Sequence, residues 1–295
     1  MELSRRDFMR ASSAIAAALA LNGRAALSAA QGSSTAPAVI WLQAQSCSGC
    51  SVSLLNTIEY MTADTLLTGA IGLKYHSTLM AAAGPSSIDE ANDTKDNGGY
   101  VLVVEGSIPT AEFRDCCHLW PNMTAWDGVQ MFASNAAYIL AVGTCAAYGG
   151  VVAGSPNPTG AVSVGHCIGT DNVINIPGCP AHPDWIVGTI AYLLNGELPE
   201  LDPHGRPREF FNGLVHDECP NRGNGERCLK PIGCSGQKTR ADCPIRQWNA
   251  GSPGQGTNWC VGAGTPCHGC TEPDFPDGKS PFFTLTRPNN KKNSK

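Results

Sequence analysis

At 295 residues, with 42% hydrophobic and 15% charged residues, the chain is long enough to bury a sizeable core without disulfide staples. Its formal charge of −5 argues against nucleic acid and anionic membrane as electrostatically favoured partners. Beyond the first thirty residues no apolar run is long enough to cross a bilayer, and 33 glycines with 21 prolines predict abundant loops.

The N-terminus reads as an export signal. Ser4-Arg5-Arg6-Asp7-Phe8-Met9-Arg10 carries an arginine pair, an alanine-rich run follows from Ala11 to Leu21, and small residues at Ser28 and Ala30 fit cleavage after Ala30. The twin-arginine route carries proteins already folded, with cofactors in place, so a periplasmic address is expected. Residues 1–30 hold four arginines against Glu2 and Asp7, which makes the cleaved chain two charges more acidic, −7 against −5.

After a polar linker at 31–37, residues 39–42 form a short apolar run predicted as a buried strand. It leads into Cys47-Ser-Gly-Cys50 and a helix through Leu54, Leu55 and Ile58, with Ser51 or Ser53 as its cap. Residues 71–75 make a weaker strand, 84–99 read as loop from their turn residues, and 100–104 are the clearest strand, running into Glu105-Gly-Ser-Ile-Pro. A helix is predicted over 127–135, a strand over 138–142 ending at Gly143-Thr144-Cys145, a loop over 154–165, a strand over 173–176 ending at Pro177-Gly178-Cys179, and a helix over 185–194. Strands alternating with helices predict an α/β domain with an open, mostly parallel sheet.

The cysteines fall on this pattern in an informative way. Cys47 and Cys50, Cys145, and Cys179 each lie just past the carboxyl end of a predicted strand, and in an open parallel sheet those ends meet at one crevice. A lone C-x-x-C also serves zinc or a redox dithiol, but four thiols delivered by three strand ends are a far stronger signal.

Past residue 203 the apolar periodicity fades and Gly, Pro, Asn and Cys dominate, so little core is expected there and bound metal is expected to supply its stability. Residues 216–270 hold seven of the fourteen cysteines; with His216 that makes eight donors, enough for two iron–sulfur cubanes of four ligands each. The segments are thus a signal over 1–30, a sheet domain over 31–203 and a cysteine-rich, loop-rich domain over 204–295.

In this order CSGCSVSLLN, VEGSIP, VGTCAAYGG, PGCPAHPDW, VHDEC, CLKPIGC, DCP, NWCV and CHGCTEPDFPDGKSPF resemble the small subunit of nickel–iron hydrogenases, including the selenium-containing branch. The resemblance spans nearly the whole chain. It implies a flavodoxin-like sheet domain, an irregular iron–sulfur domain, and a tight heterodimer with a large subunit that holds the nickel–iron site, with selenocysteine in the selenium branch. The large subunit splits dihydrogen, and this chain, with no catalytic residue of its own, carries the electrons through three 4Fe–4S clusters.

Position by position, the resemblance implies Cys47, Cys50, Cys145 and Cys179 as ligands of a proximal cluster. It implies His216, Cys219, Cys228 and Cys234 for a distal one, and Cys243, Cys267 and Cys270 for a middle one. Cys260 stands where the common pattern has proline: as a fourth ligand it completes a 4Fe–4S middle cluster, and otherwise that cluster is 3Fe–4S. Gly49 and Gly150 occupy the positions where an oxygen-tolerant branch has extra cysteines, so an ordinary proximal cubane is expected. The resemblance also places Glu105 near the proximal cluster, as a proton route or as a structural carboxylate.

Cys116, Cys117 and Cys167 are left as loop or core thiols. His182 reads as a loop-orienting residue, and His268 as packed or surface-facing. With a polar, basic tail at 286–295 in place of a membrane anchor, a c-type cytochrome is the expected acceptor. Two other readings stay open: an autonomous ferredoxin-like carrier, and a disulfide-bonded exported structural protein.

Overall fold

The computed structural model describes residues 36–248 and 258–279; the predicted export signal, nearly all of the predicted linker, residues 249–257 and residues 280–295 lie outside them. Five strands, β1 (Ala38–Gln43), β2 (Gly72–His76), β3 (Val101–Glu105), β4 (Tyr138–Val142) and β5 (Ile174–Ile176), form one sheet in the order β2-β1-β3-β4-β5. Every pairing within it is parallel. This is the flavodoxin-like order, in which ligands bind beyond the carboxyl ends of the strands.

Both faces are covered, which is why the central strands read as unbroken apolar runs. Val39, Trp41, Val101, Val103, Leu140 and Val142 point to one side, against α1 (Gly49–Leu55) and α5 (Pro183–Leu194). Ile40, Leu42, Leu102, Val104 and Ala141 point to the other, toward α2 (Pro85–Asn97) and α3 (Ala125–Ala133). Between β4 and Cys145 the chain turns into a short helix, α4 (Thr144–Tyr148).

Three expectations are corrected. Residues 84–99 are largely helix α2, not loop. Its buried positions are Ser87, Ala91 and Thr94, small or hydroxyl residues at helical spacing, so no apolar stripe marks it. Thr94 and Ser87 satisfy their hydroxyls on the backbone at Glu90 O and Gly84 O, Pro85 opens the helix, and Gly98 leaves it at φ 70°. In α1 the N-cap is Ser48, at φ 61°. Ser51 and Ser53 lie inside the helix, where their hydroxyls bind Glu105 and the Ala181 carbonyl instead of capping it.

The third correction concerns the segment past residue 203. Phe210, Phe211, Val215, Ala241, Trp259, Val261 and Cys267 are buried in the same cluster as the sheet residues Val39 and Trp41. They come from a short helix and several scattered turns, so together they make a core that has no period along the chain.

Helix α5 is buried along nearly its whole length and is capped by His182, whose Nδ1 accepts from Asp184 N–H at 3.1 Å while Nε2–H donates to Gln247 O at 2.6 Å. The ring packs 4.6 Å from Trp248 and 5.5 Å from Trp185, centroid to centroid. His182 therefore orients a loop, as the sequence implied. Burial pushes its pKa from 6.5 down to about 3, and burial likewise holds His76 down at about 4.

In both cases the unfolded chain binds a proton that the folded chain refuses. The stability carried by the neutral rings is therefore complete above pH ~6.5 and is lost as pH falls toward the folded values. The melting temperature should be flat above pH ~7 and drop steeply below 6.5. His182→Asn, which keeps a capping side chain, should flatten that acid limb; thermal melts in which variant and parent lose stability in parallel on acidification would refute the assignment.

Candidate metal centres

The chain past β1 turns back at Ser46 and enters α1, which puts Cys47 and Cys50 beside the crevice. Cys145 follows β4 by three residues and Cys179 follows β5 by three. All four, together with Glu105 at the end of β3, line one cleft of about 190 Å³. The surrounding backbone is shaped to fit sulfur. A Cβ on Gly143, at φ +87°, would lie 2.6 Å from Cys50 Sγ, and one on Gly150, at φ +55°, would lie 2.9 Å from Cys145 Sγ. A Cβ on Gly49 would stand 3.1 Å from Cys47 Sγ, so both glycine positions singled out in the sequence border this cleft.

Amide protons point at these sulfurs: Ala181 N–H at Cys50, and Val151 and Val152 N–H at Cys145. Burial pushes the thiols of Cys50, Cys145 and Cys179 up, and the neighbouring thiolates push in the same direction. Glu105 is 2% exposed and accepts from Trp41 Nε1 (3.1 Å), Gln43 Nε2 (3.3 Å), Ser46 Oγ (3.2 Å), Cys50 N (3.0 Å) and Ser51 Oγ (2.5 Å). Four crowded thiolates beside a carboxylate need a positive core to hold their charge, and N–H···S bonds are how proteins tune such a core. The residues fit an iron–sulfur cluster. Among the described residues no three His, Cys, Asp or Glu stand together as a single bound ion would require.

A second group gathers below the first. Cys243 is pushed well up by burial and then by the charges of Cys270, Asp242, Cys267 and Cys260; Cys270 responds to Cys267 and Cys260 in turn. Cys260 thus lies within electrostatic reach of these three, and of Cys234 in the third group as well. Cys243 opens a one-turn helix whose flanks are clamped. Arg246, 4% exposed, binds Asp242 and Asp184 and lies over Phe210, while Trp185 Nε1 donates to Asp242 at 2.8 Å. On the opposite side Arg206, 1% exposed, pairs with Asp202 at 2.8 Å and Glu272 at 3.1 Å and donates to Thr271 O, next to Cys270.

The third group is half-buried. Cys219 N–H reaches back to His216 O at 3.3 Å, Cys234 N–H to Leu229 O at 3.2 Å, and His216 N–H to Gly236 O at 2.9 Å, so one knot of turns holds them. His216 and Cys228 line the same open cleft, and a Cβ on Gly236 would sit 3.6 Å from Cys234 Sγ.

The three groups are joined in series. Cys179 N–H, from the first, faces Cys270 Sγ in the second and favours its thiolate. Cys267 N–H, from the second, bonds Cys234 Sγ in the third at 3.2 Å. None of the fourteen cysteines is disulfide-bonded, which removes the disulfide reading. Cys116 and Cys117 sit on a turn by α3, and Cys167 is buried with its thiol pushed to about 12 by burial; none of them joins a group. His268 lines a small cavity with Lys238, Glu272 and Asp274.

Arg206, Arg246, Thr144 and the amide donors were not singled out from the sequence. For the arginines a faint signal exists, since each stands four residues after its aspartate, Asp202 and Asp242.

Gly143→Ala tests the first cleft. It forces a Cβ into Cys50 Sγ and a side chain onto a positive-φ, extended-ψ backbone that essentially only glycine adopts, a strain of about 1–3 kcal/mol before the clash. Purified variant should lose about a third of its iron; unchanged iron would show that Cys50 is not held where the geometry puts it.

Residues 47–193 match the family model described as NADH ubiquinone oxidoreductase, 20 Kd subunit, and residues 206–283 match the C-terminal model of the NiFe/NiFeSe hydrogenase small subunit. The first covers only the sheet half; the second covers the cysteine-rich half. The periplasmic [NiFeSe] hydrogenase small subunit of Desulfomicrobium baculatum is 39% identical over 96% of this chain and 99% of its own length. The periplasmic [NiFe] hydrogenase small subunit 1 of Nitratidesulfovibrio vulgaris is 37% identical over 95% and 93%. Among solved structures, the recombinant [NiFeSe] hydrogenase of Desulfovibrio vulgaris Hildenborough in the oxidized state aligns with TM-score 0.78 at 40% identity, over 85% of this chain and 99% of that one. The chain belongs to the small subunits of the [NiFe]/[NiFeSe] hydrogenases, the electron-transfer partners in a heterodimer with a large subunit.

Proposed function

We propose that Cys47, Cys50, Cys145 and Cys179 hold a proximal 4Fe–4S cluster, that Cys243, Cys260, Cys267 and Cys270 hold a middle one, and that His216, Cys219, Cys228 and Cys234 hold a distal one. When bound, such clusters supply one-electron transfer at potentials set by their ligands and hydrogen bonds. The observation that carries this reading is the serial linkage, Cys179 N–H to Cys270 Sγ and Cys267 N–H to Cys234 Sγ, which makes three donor sets into one line.

The two ends of that line differ. Around the proximal set, Cys47 and Cys179 are themselves exposed, and Val52 (58% exposed) and Val151 (52% exposed) stand beside them. An apolar rim around a water-sensitive core fits burial by the large subunit. At the other end His216 replaces a thiolate, which removes negative charge and raises potential, and its open cleft suits an incoming acceptor. That acceptor is a c-type cytochrome in this reading, met in the periplasm after export of the folded chain by its Arg5-Arg6 signal. The segments 1–30, 31–203 and 204–295 are the signal, the proximal-cluster domain and the domain of the other two clusters.

Glu105, with every contact donating to it, serves here as a structural carboxylate that locks α1 to β3 more than as a proton route. The heterodimer should contain about 12 iron atoms attributable to this chain, with matching acid-labile sulfide. His216→Ala should slow cytochrome reduction by dihydrogen relative to dihydrogen-isotope exchange measured on the same sample. A preparation without iron, or a variant that leaves that ratio at the parental value, would overturn the assignment.

A further inference from the structure

Two ligand-bearing turns of the proximal set and one of the middle set meet at a single side chain outside both sets. Thr144 is 1% exposed and immediately precedes Cys145. Its Oγ1 accepts from Gly178 N–H at 2.8 Å and donates to the carbonyl of Cys270, while its own N–H binds Gly178 O at 2.9 Å. Gly178 leads into Cys179, the residue whose N–H meets Cys270 Sγ. That turn has no side chain of its own to hold it: at Gly178 (φ +151°) even a Cβ would fall 2.7 Å from Ala181 Cα. The hydroxyl donates one bond and accepts another, each with a different ligand-bearing segment.

We infer that Thr144 is a positioning residue for electron transfer, whose hydroxyl pins the turn bearing Cys179 to the segment bearing Cys270 and so fixes the gap between the proximal and middle donor sets. This rests on the iron–sulfur reading above. Electron tunnelling decays exponentially with the gap, so a hydroxyl that holds two turns together acts on the rate without touching either metal core. A packing role would depend on the methyl group; this role depends on the oxygen.

The test uses the intact heterodimer with Thr144→Val, which keeps the shape and loses the oxygen, and Thr144→Ser, which keeps the oxygen and loses the methyl. Iron and acid-labile sulfide come first: a parental heterodimer without them would sink the iron–sulfur reading itself, independently of Thr144. In fully loaded protein, paramagnetic resonance of the reduced state reads the spin–spin splitting between proximal and middle centres. Thr144→Val is expected to narrow that splitting and to slow electron delivery to a cytochrome severalfold, with Thr144→Ser at parental values. Full iron with parental splitting in Thr144→Val, or a Thr144→Ser variant as impaired as Thr144→Val, overturns the inference. Should Thr144→Val lose iron, Thr144→Ser decides: parental iron and splitting uphold the hydroxyl's role, and loss of either refutes it.

Discussion

Arg206→Met is expected to destabilise the folded chain by about 3–5 kcal/mol. The guanidinium is 1% exposed and stands between Asp202 and Glu272, whose side chains are 9% and 14% exposed. Removing it leaves two nearly buried carboxylates facing each other with no cation, an arrangement costlier than the loss of the contacts themselves. The damage should spread to the middle set, because Arg206 also donates to Thr271 O, one residue past Cys270, and lies 5.7 Å over the Phe211 ring. Denaturant melts of the variant heterodimer measure the loss. Adding Glu272→Gln to Arg206→Met should recover part of it, since one of the stranded charges is then gone. A single variant within about 0.5 kcal/mol of the parent would show that the cluster of charges is solvated and structurally idle.

Cys260→Ala should change the kind of middle cluster without emptying the site. With three thiolates left, that site is expected to hold 3Fe–4S, dropping iron by about one atom in 12 and giving the oxidised heterodimer a three-iron paramagnetic signal that the parent lacks. Loss of one thiolate also removes negative charge beside the iron core, so the middle potential should rise. The geometry that supports this is the proximity of Cys260 to Cys243, Cys267 and Cys270, each of which is pushed up first by burial and then by neighbouring thiolates. A strong three-iron signal already present in the parent, or a variant with unchanged iron, would remove Cys260 from the ligand set.

Much of this was legible in the residues themselves. Strands rich in Val, Ile and Leu that are buried on both faces announce a parallel sheet, and cysteines placed just beyond three of them announce a shared crevice. What escaped was local chemistry that leaves no periodic trace. Helix α2 buries Ser87, Ala91 and Thr94, so its inner face looks polar. The core of the C-terminal half takes Phe210, Val215, Ala241 and Trp259 from a short helix and scattered turns. Arg206 and Arg246 look like surface residues until their aspartates and the aromatic rings over which they lie are brought together.

By itself, then, the sequence determined the sheet, the kinds of donor and the ends of strands from which four of them project, because these depend on neighbours along the chain. What the chain order left open, and only the tertiary structure decided, is how the thiols of the C-terminal half lie relative to that crevice. Cys179 meets Cys270, and Cys267 meets Cys234, only after the C-terminal half has folded back onto the crevice. The physical reason is that a thiolate's partners are fixed by packing across the sheet face, where the buried arginines, the Thr144 hydroxyl and a few backbone amides hold distant turns in register.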